Sequence, residues 1–462
     1  MATWAEANAR ANKSPVVLVT VGTTRYSSGT IQAPTAAASA IISKVGSVGG
    51  SVQPHAGRTQ IRSFSFGLID KDGDVTSWLT TERRGSEVLV QLGYSDVDEA
   101  DYLTLYRGIV TGYSWQKGVW TFACADLRRT VKKSVFTAAT EAAPVSITDE
   151  NPIDIVLSIL TSTGAGTNGG YDTYDAANGL GIDETLIDVA AFEAIRDDDF
   201  ATESWSYTIE ESEDALDWIE REVCKVLGIY LVTLSTGALS LRQVKPPLFA
   251  DAPIALAKSN IIDVSMSHDL NDLVNEVKWA YDWDVATSEY LSDSIYLDSD
   301  SLTAYATSKT LEIESNALDE SLSDGLIADR VAGVFSRYSA PFPRYKVTAF
   351  LAVNQIDEGT IVALSHPNLP DIYGGGRGIA ATSPLLCEVL SVSVSPLDGK
   401  VTMDLIGTPW NYGRKYARIS AAGTTDYDTK DESFHSKYAF IGDVTTNYVG
   451  AADEDGYVIY PG

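Results

Sequence analysis

Histidine, cysteine and methionine are scarce in this 462-residue chain, which has four, three and three of them. His55, His268, His366 and His435 are scattered, and no Gly-x-Ser-x-Gly, His-Glu-x-x-His or Cys/His pairing accompanies them. The common hydrolase and metalloprotease chemistries therefore lack their residues. Cys124, Cys224 and Cys387 stand far apart in apolar settings ("FACAD", "REVCKVL", "LLCEVL"). That spacing suggests neither a disulfide framework nor a zinc cluster and leaves buried thiols. Positive charge is short as well, 34 basic against 63 acidic residues, a formal balance of −29. A grip on a phosphate backbone needs clustered Lys and Arg to displace counterions, so sequence-specific nucleic-acid binding is not expected. The one dense basic run, Arg128-Arg129-Thr-Val-Lys132-Lys133, reads as cover for the end of a strand pair. The start, "MATWAEANARANKSPVVLVTV", lacks the basic segment and long apolar run of a secretion signal, and no apolar run reaches membrane-spanning length. Folding in a reducing cytoplasm and no membrane-spanning segment are the expectations.

What is present is globular. Hydrophobic residues make up 44% and charged residues 21%, with 36 Gly and 23 Tyr, a balance suited to strands and turns. The length calls for about two to four domains. From Ser14 to about Ala125 the signal is β: "PVVLVTV", "IRSFSFGLI" with Phe64, Phe66 and Leu68 on one face, "SEVLVQLGY", and "RGIVTGYSWQKGVWTFACAD". In the last, Gln116-Lys117-Gly118 supplies the positive-φ position of a tight hairpin, and Trp120, Phe122 and Cys124 share a face.

Between about 144 and 250 the period changes. Asn151-Pro152 opens a helix with Ile153, Val156, Leu157 and Leu160 inward. A second helix is expected after Ser212 as N-cap, with Leu216, Ile219, Val223 and Val226 buried and Gly228 as its stop. "IYLVTLSTGALSLRQV" reads as a hairpin with Ser235-Thr236-Gly237 at the tip. Strand character returns over 261–284, a polar span runs to about 310, and a helix is expected over 318–335 with Leu322, Leu326, Val331 and Val334 inward, ended by Pro341 and Pro343. "RYKVTAFLAV", "GTIVALS", "LLCEVLSVSV" and "KVTMDLIG" then form a second strand-rich unit. The last fifty residues look like an extension that must dock to be ordered.

The two β sections share an order. Gly85-Ser-Glu-Val-Leu-Val-Gln-Leu92 precedes a variable stretch, then Gly108–Trp115, a Gly turn, and Val119-Trp-Thr-Phe122. Gly359-Thr-Ile-Val-Ala-Leu364 precedes a variable stretch, then Glu388–Val394, a turn through Asp398-Gly399, and Val401-Thr-Met-Asp-Leu405, at an offset drifting from 274 to 282 residues. Strand patterning alone is cheap, but the shared order points to a duplicated small barrel. Two such units per chain would let a trimer present six around a ring.

Other motifs carry less. Asp197-Asp198-Asp199 and Glu210-Glu211 read as solvated flanks rather than a glycosidase pair. Gly164-Ala-Gly-Thr-Asn-Gly169 matches a dinucleotide pattern but follows a helix instead of a strand, and "YGGGRG" at 373–378 has only Arg377 to meet a phosphate. Asp70, Asp72 and Asp74 in "IDKDGDVTSW" begin like a calcium loop. Counting from Asp70, however, the sixth residue is Val75 and the twelfth Thr81 where Gly and Glu are wanted. Asp72-Gly73 is read as a hairpin turn braced by Asp70 and Asp74. No catalytic, cofactor-binding or metal-binding residue is assigned, and no cofactor.

In this order the pieces resemble the hub proteins at the distal end of bacteriophage tails, the family that includes baseplate hubs of contractile tails and tail-tip hubs of long flexible tails. "FSFGLIDKDGDVTSWL", "RRGSEVLVQLGY" and "LYRGIVTGYSWQKGVWTFACADL" are similar to that family's first barrel. "CKVLGIYLVTLSTGALSLRQVKP" is similar to its helix-to-hairpin segment and "LVNEVKWAYDWD" to the strand opening the second barrel. The resemblance covers about residues 14 to 408. It implies an α+β, mainly β fold: a first tail-tube-like β-barrel in 1–140, an inserted α+β domain in 141–255, a second such barrel in 256–408 with the helix 318–335, and a C-terminal extension in 409–462. It further implies a non-enzymatic virion protein at the distal end of the tail, assembled in the host cytoplasm. That protein would be a homotrimer whose pseudo-sixfold ring continues the DNA channel between a distal tail protein ring, the tape measure protein and a tip or fibre protein. The competing reading, from nine Trp, 23 Tyr and many carboxylates, is a carbohydrate-binding or carbohydrate-cleaving tail component.

Overall fold

The apolar alternation of the first 125 residues becomes sheet. In a computed structural model, which describes residues 14–164, 169–245, 254–318, 323–351, 356–372, 375–407, 440–443 and 456–459, the strands are β1 (Pro15–Val21), β2 (Thr24–Ser27), β3 (Ile42–Val45), β4 (Val48–Gln53), β5 (Arg58–Ile69), β6 (Glu87–Tyr94), β7 (Leu103–Gln116) and β8 (Val119–Ala125). They pair in the order β4-β5-β8-β7-β6-β1-β2, with β3 beside the far half of β5. Phe64, Phe66 and Leu68 are buried on one face of β5 and Phe122 and Cys124 on β8. Phe66 and Phe122 stack 4.9 Å apart, and burying each ring contributes about 2–3 kcal/mol. The β7–β8 hairpin turns through Lys117 and Gly118, both at positive φ, as its Gln-Lys-Gly signal demands.

The middle stretch holds β9 (Ser134–Val135), β10 (Val145–Glu150), β11 (Trp205–Ile209), β12 (Glu213–Asp214), β13 (Ile229–Thr233) and β14 (Leu239–Gln243) in two-stranded pairs. Helix Pro152–Thr161 starts where Asn151 accepts from the Ile153 amide, and Ile153, Val156, Leu157 and Leu160 are buried. The second helix runs through Ala215–Trp218, a π-helical Ile219–Cys224 and Lys225–Leu227. Its cap is Asp214, whose carboxylate accepts from Leu216 and Asp217. Ser212, expected in that role, donates its hydroxyl to the Val135 carbonyl instead, because Glu213 and Asp214 are drawn into pairing with β9. Gly228 ends the helix at φ +74.

Then follow β15 (Ile254–Leu256), β16 (Ile261–Ser267), β17 (Glu276–Asp284), β18 (Glu289–Leu297), β19 (Thr310–Glu314), β20 (Arg344–Phe350), β21 (Ile361–Leu364), β22 (His366–Asp371), β23 (Gly376–Ile379), β24 (Leu385–Ser395), β25 (Lys400–Gly407), β26 (Phe440–Asp443) and β27 (Gly456–Ile459). The span expected to be polar holds β18 and helix Ser299–Tyr305. The helix expected over 318–335 spans Ser323–Tyr338, with Val331 and Val334 buried and Leu326 packed at the edge of the core; Leu322 lies outside the described residues. Of the C-terminal extension, only the β26–β27 pair is described.

The echo between the two β sections is a structural duplication. β16-β20-β25-β24-β21-β15 repeats β3-β5-β8-β7-β6-β1 strand for strand. The irregularities coincide too. The bulge between Val110 and Gly112 matches that between Val389 and Ser391, and the one between Ile42 and Lys44 matches that between Ile261 and Asp263. Gly85 and Gly359, both at positive φ, donate to Val110 and Val389 respectively. Bulges are deliberate features of a strand pair, so two in register is strong evidence of a common plan. The two units differ at the outer strand, antiparallel for β1–β6 and parallel for β15–β21.

The two units form one 14-stranded sheet, because β4 pairs with β5 on one side and β24 on the other. Among the described residues the strand pairing closes neither unit into a barrel. The fold is thus α+β and mainly β, with open tube-like units. Their inward faces make one hydrophobic core. A second core gathers the middle stretch together with β17, β19 and helix Ser323–Tyr338, so the long connection between β16 and β20 belongs by packing to that middle lobe.

Candidate assembly joint

Three parts of the chain, the two β units and the middle lobe, meet through buried charge. On β5 the inward series Phe64, Phe66, Leu68 is preceded by Arg62, also inward and 4% exposed. Its Nε donates to both Glu358 oxygens at 3.1 and 2.9 Å, and its Nη2 donates to Glu358 and, at 2.9 Å, to Asp357. Burial opposes the guanidinium's charge, but Glu358 and Asp357 outweigh it and hold the group above the ordinary arginine range. Glu358 is fully buried, so removing this partner would leave an uncompensated charge in the core. Room for the pair comes from Gly50 on β4, where a Cβ would lie 2.6 Å from the Arg62 side chain and 2.7 Å from Glu358. The Arg62 backbone is pinned as well, its amide donating to Asp126 at 2.9 Å, and Asp126 in turn accepts from the buried Arg128.

The lobe is fastened by a second set. Glu388 on β24, 4% exposed, takes an ion pair from Arg337 of helix Ser323–Tyr338 and a 2.5 Å hydrogen bond from the Tyr230 hydroxyl on β13. Glu220 accepts from the Thr59 amide at 2.9 Å, tying the π-helical segment to β5; burial raises the Glu220 carboxyl above its usual range. Arg330 donates to the carbonyl of His55 at 3.0 Å, and burial pushes its guanidinium down to about 10. His55 stands edge-on to Tyr338, ring centres 5.5 Å apart, beside a cleft of about 250 Å³ that Asp272 and Arg344 also line. Burial pushes its imidazole down to about 4, so the ring is neutral. These groups pair with one another, although Nε and Nη1 of Arg337 and Nη1 of Arg128 are buried without a hydrogen-bond partner. They hold parts together, and no nucleophile–base pair is among them.

The residues weighed in the sequence fall elsewhere. The Asp72-Gly73 turn is not a strand-to-strand hairpin: β5 pairs with β8 rather than β6, and Gly73, at φ +81, leads into the short helix Asp74–Trp78. Asp70 braces that helix as expected, its oxygens accepting from the amides of Val75 at 3.0 Å and Thr76 at 3.2 Å, the Thr76 hydroxyl, and the Trp120 indole at 3.3 Å. A cation there would have to displace those donors. Asp72 and Asp74 are exposed, and among the described residues no three His, Cys, Asp or Glu side chains converge as a metal site. In the basic run Arg128 turns inward to Asp126 and Lys132 approaches Asp217. Arg377 lies in the β22–β23 pair and donates to Asn368. Asp197 pairs with Arg196. All three cysteines are buried and free. Residues 165–168 of the Gly164–Gly169 stretch, 373–374 of "YGGGRG", and His435 lie outside the described residues.

The joint residues escaped the sequence reading although a signal existed. Arg62 occupies an inward position of an alternating strand, and Glu388 interrupts the apolar run "LLCEVLSV". A charge at a core position announces a partner, yet not which one.

No protein-family model matches the chain, and no curated sequence relative matches it. Among solved structures it is similar to the prophage MuSo2 43 kDa tail protein of Shewanella oneidensis, at 10% identity and a TM-score of 0.46 over 85% of this chain and 98% of that one. It is also similar to a tail protein of Neisseria meningitidis MC58 (12%, 0.45, 86% and 97%) and to a prophage tail protein of Listeria monocytogenes EGD-e (9%, 0.42, 84% and 94%).

Proposed function

We propose that this chain is a structural hub of a bacteriophage tail, in which residues 1–140 and 256–408 supply two ring units. Residues 141–255, joined by the connection between β16 and β20, form a lobe beside them, and 409–462 form an extension. The observation that carries the reading is the duplicated strand order with its shared bulges. One chain bearing two equivalent units turns a threefold assembly into a pseudo-sixfold ring, the geometry needed to adapt a sixfold tube to a threefold tip. Such a homotrimer would sit between a distal tail protein ring, the tape measure protein and a tip or fibre protein at the distal end of the virion's tail. Three chains at −29 sum to −87, and an acidic lumen would repel DNA phosphates and let the genome pass rather than stick. Buried charge held in ion pairs at the joint suits a load-carrying part better than a catalyst.

Native mass measurement tests this together with a cell-wall clearing assay. A stable trimer of 49.7 kDa chains that leaves cell-wall glycan intact supports the hub, and electron microscopy of the particle should then place it on the tail axis. A monomer that degrades cell-wall glycan overturns it in favour of a carbohydrate-acting component.

A further inference from the structure

The duplication contains one contact that has only half its symmetry mates. Inside the chain, β24 carries β25 along one edge, while its other edge is shared by β21 over Leu385–Glu388 and β4 over Ser391–Val394. In the first unit β7 is the equivalent strand. It carries β8 along one edge and β6 on the other only as far as Ile109. Beyond the bulge, no strand among the described residues covers that second edge over Gly112–Trp115. The strand that would cover it by the same rule is the counterpart of β4. Gly49 faces Ser63 on β5 as Ser267 faces Arg344 on β20, so this counterpart is the end of β16 and the residues after it. Among the described residues β16 pairs with β20 alone, and its other edge is open too.

Burial tells the same story. Val392, Val394 and Val48, which meet at the closed internal contact, are 5%, 5% and 3% exposed. Their counterparts at the two open edges are more exposed: Trp115 is 58% exposed, and Tyr113 and Met266 are half-buried. Two open edges with part-exposed apolar side chains are an aggregation hazard unless something pairs with them, and within one chain the two do not meet, because six strands separate β16 from β7 in the strand order.

We infer that the occupant of each edge is a second copy of this chain: Met266–Asp269 of one copy adds as an antiparallel strand to Gly112–Trp115 of the next. The pairs, transferred from Val48↔Val394, Gly49↔Ser393, Gly50↔Val392 and Ser51↔Ser391, are Met266 with Trp115, Ser267 with Ser114, His268 with Tyr113 and Asp269 with Gly112. The contact is head-to-tail, so it closes into a ring when the rotation permits, and each joint between copies then copies the joint within a copy. This inference rests on the ring reading and adds the edge by which the ring is made.

The test introduces cysteines into the full chain as Ser114→Cys with Ser267→Cys, and separately Ser114→Cys with His268→Cys to cover a one-residue slip at the bulge. Opposed residues of an antiparallel pair lie within disulfide reach, and the three native thiols are buried. The expected result under mild oxidation is loss of the 49.7 kDa band to covalent dimer and trimer in one of the double variants, with every single variant unchanged. An oligomer of wild-type native mass in which neither pair crosslinks overturns the edge contact and leaves the ring standing. A wild-type native mass of one chain overturns both.

Discussion

Where the first β unit has Ile109, the second has Glu388, and the two strands are otherwise built alike down to the bulge that follows. The substitution tracks what each unit must meet. The first unit joins β4 to β5 through residues 54–57, whereas the second spans residues 268–343 between β16 and β20 and hangs part of the lobe's core there. At the point where that lobe returns to the sheet, Arg337 and Tyr230 reach Glu388. A plan shared by two units is thus differentiated by buried charge at the face that carries the extra load, while the unburdened copy keeps an apolar residue.

That comparison is broken most severely at Arg62, which ties the units together. Arg62→Met strands a fully buried Glu358 and should cost about 3–5 kcal/mol in chemical denaturation, with Arg62→Met/Glu358→Leu recovering most of it. Next in size, Arg337→Leu alone should cost about 3 kcal/mol by leaving Glu388 without its cation. Adding Glu388→Ile, the residue type of the first unit, should restore stability to within about 1 kcal/mol of wild type. If the double variant stays as unstable as the single one, the apolar solution is not transferable and the lobe needs the charge.

The two positive-φ glycines sharpen the comparison further. Gly85→Ala has open space and should cost about 1 kcal/mol of backbone strain. Gly359→Ala would place a Cβ 2.6 Å from the buried Tyr230 hydroxyl and should cost at least about 2 kcal/mol, strain plus clash. Equal melting-temperature losses would show that the lobe yields where it touches the second unit. The smallest effect at neutral pH belongs to His55, in the short link of the first unit. Its folded value of about 4 lies below the ordinary one of about 6.5. The stability it contributes is therefore present above about 6.5 and is lost as pH falls toward about 4. His55→Gln should flatten that part of a stability–pH curve; an unchanged slope would show that the ring is not neutral in the fold.

Much of the sheet was legible because strands β5 to β8, β20, β24 and β25 alternate apolar and polar residues over long runs, β1 is a short apolar run, and two glycine turns marked their hairpins. β18 was missed because its alternation is inverted: Leu291, Ile295 and Leu297 point to solvent while Ser292 and Ser294 sit beneath. The Asp72-Gly73 error has a local cause, since the same dipeptide serves a two-residue hairpin and a left-handed entrance to a helical turn. The joint was unreadable for a different reason. Arg62 and Glu358 meet across most of the chain, and their pairing leaves no trace in the spacing of neighbours. Nor does periodicity say which of two cores a helix joins, so helix Ser323–Tyr338 was recognised but not its allegiance.

The three buried thiols have a practical consequence. Cys124 lies in the first β unit, Cys387 in the second and Cys224 in the lobe, and burial pushes all three thiols up, Cys124 to about 12. None reacts until its surroundings open, so each is a clock for one part of the molecule. Timed alkylation followed by mass analysis of the three peptides would read three local opening free energies from the unmodified chain. The order in which the clocks start would reveal whether lobe and units come apart separately or the whole joint yields at once.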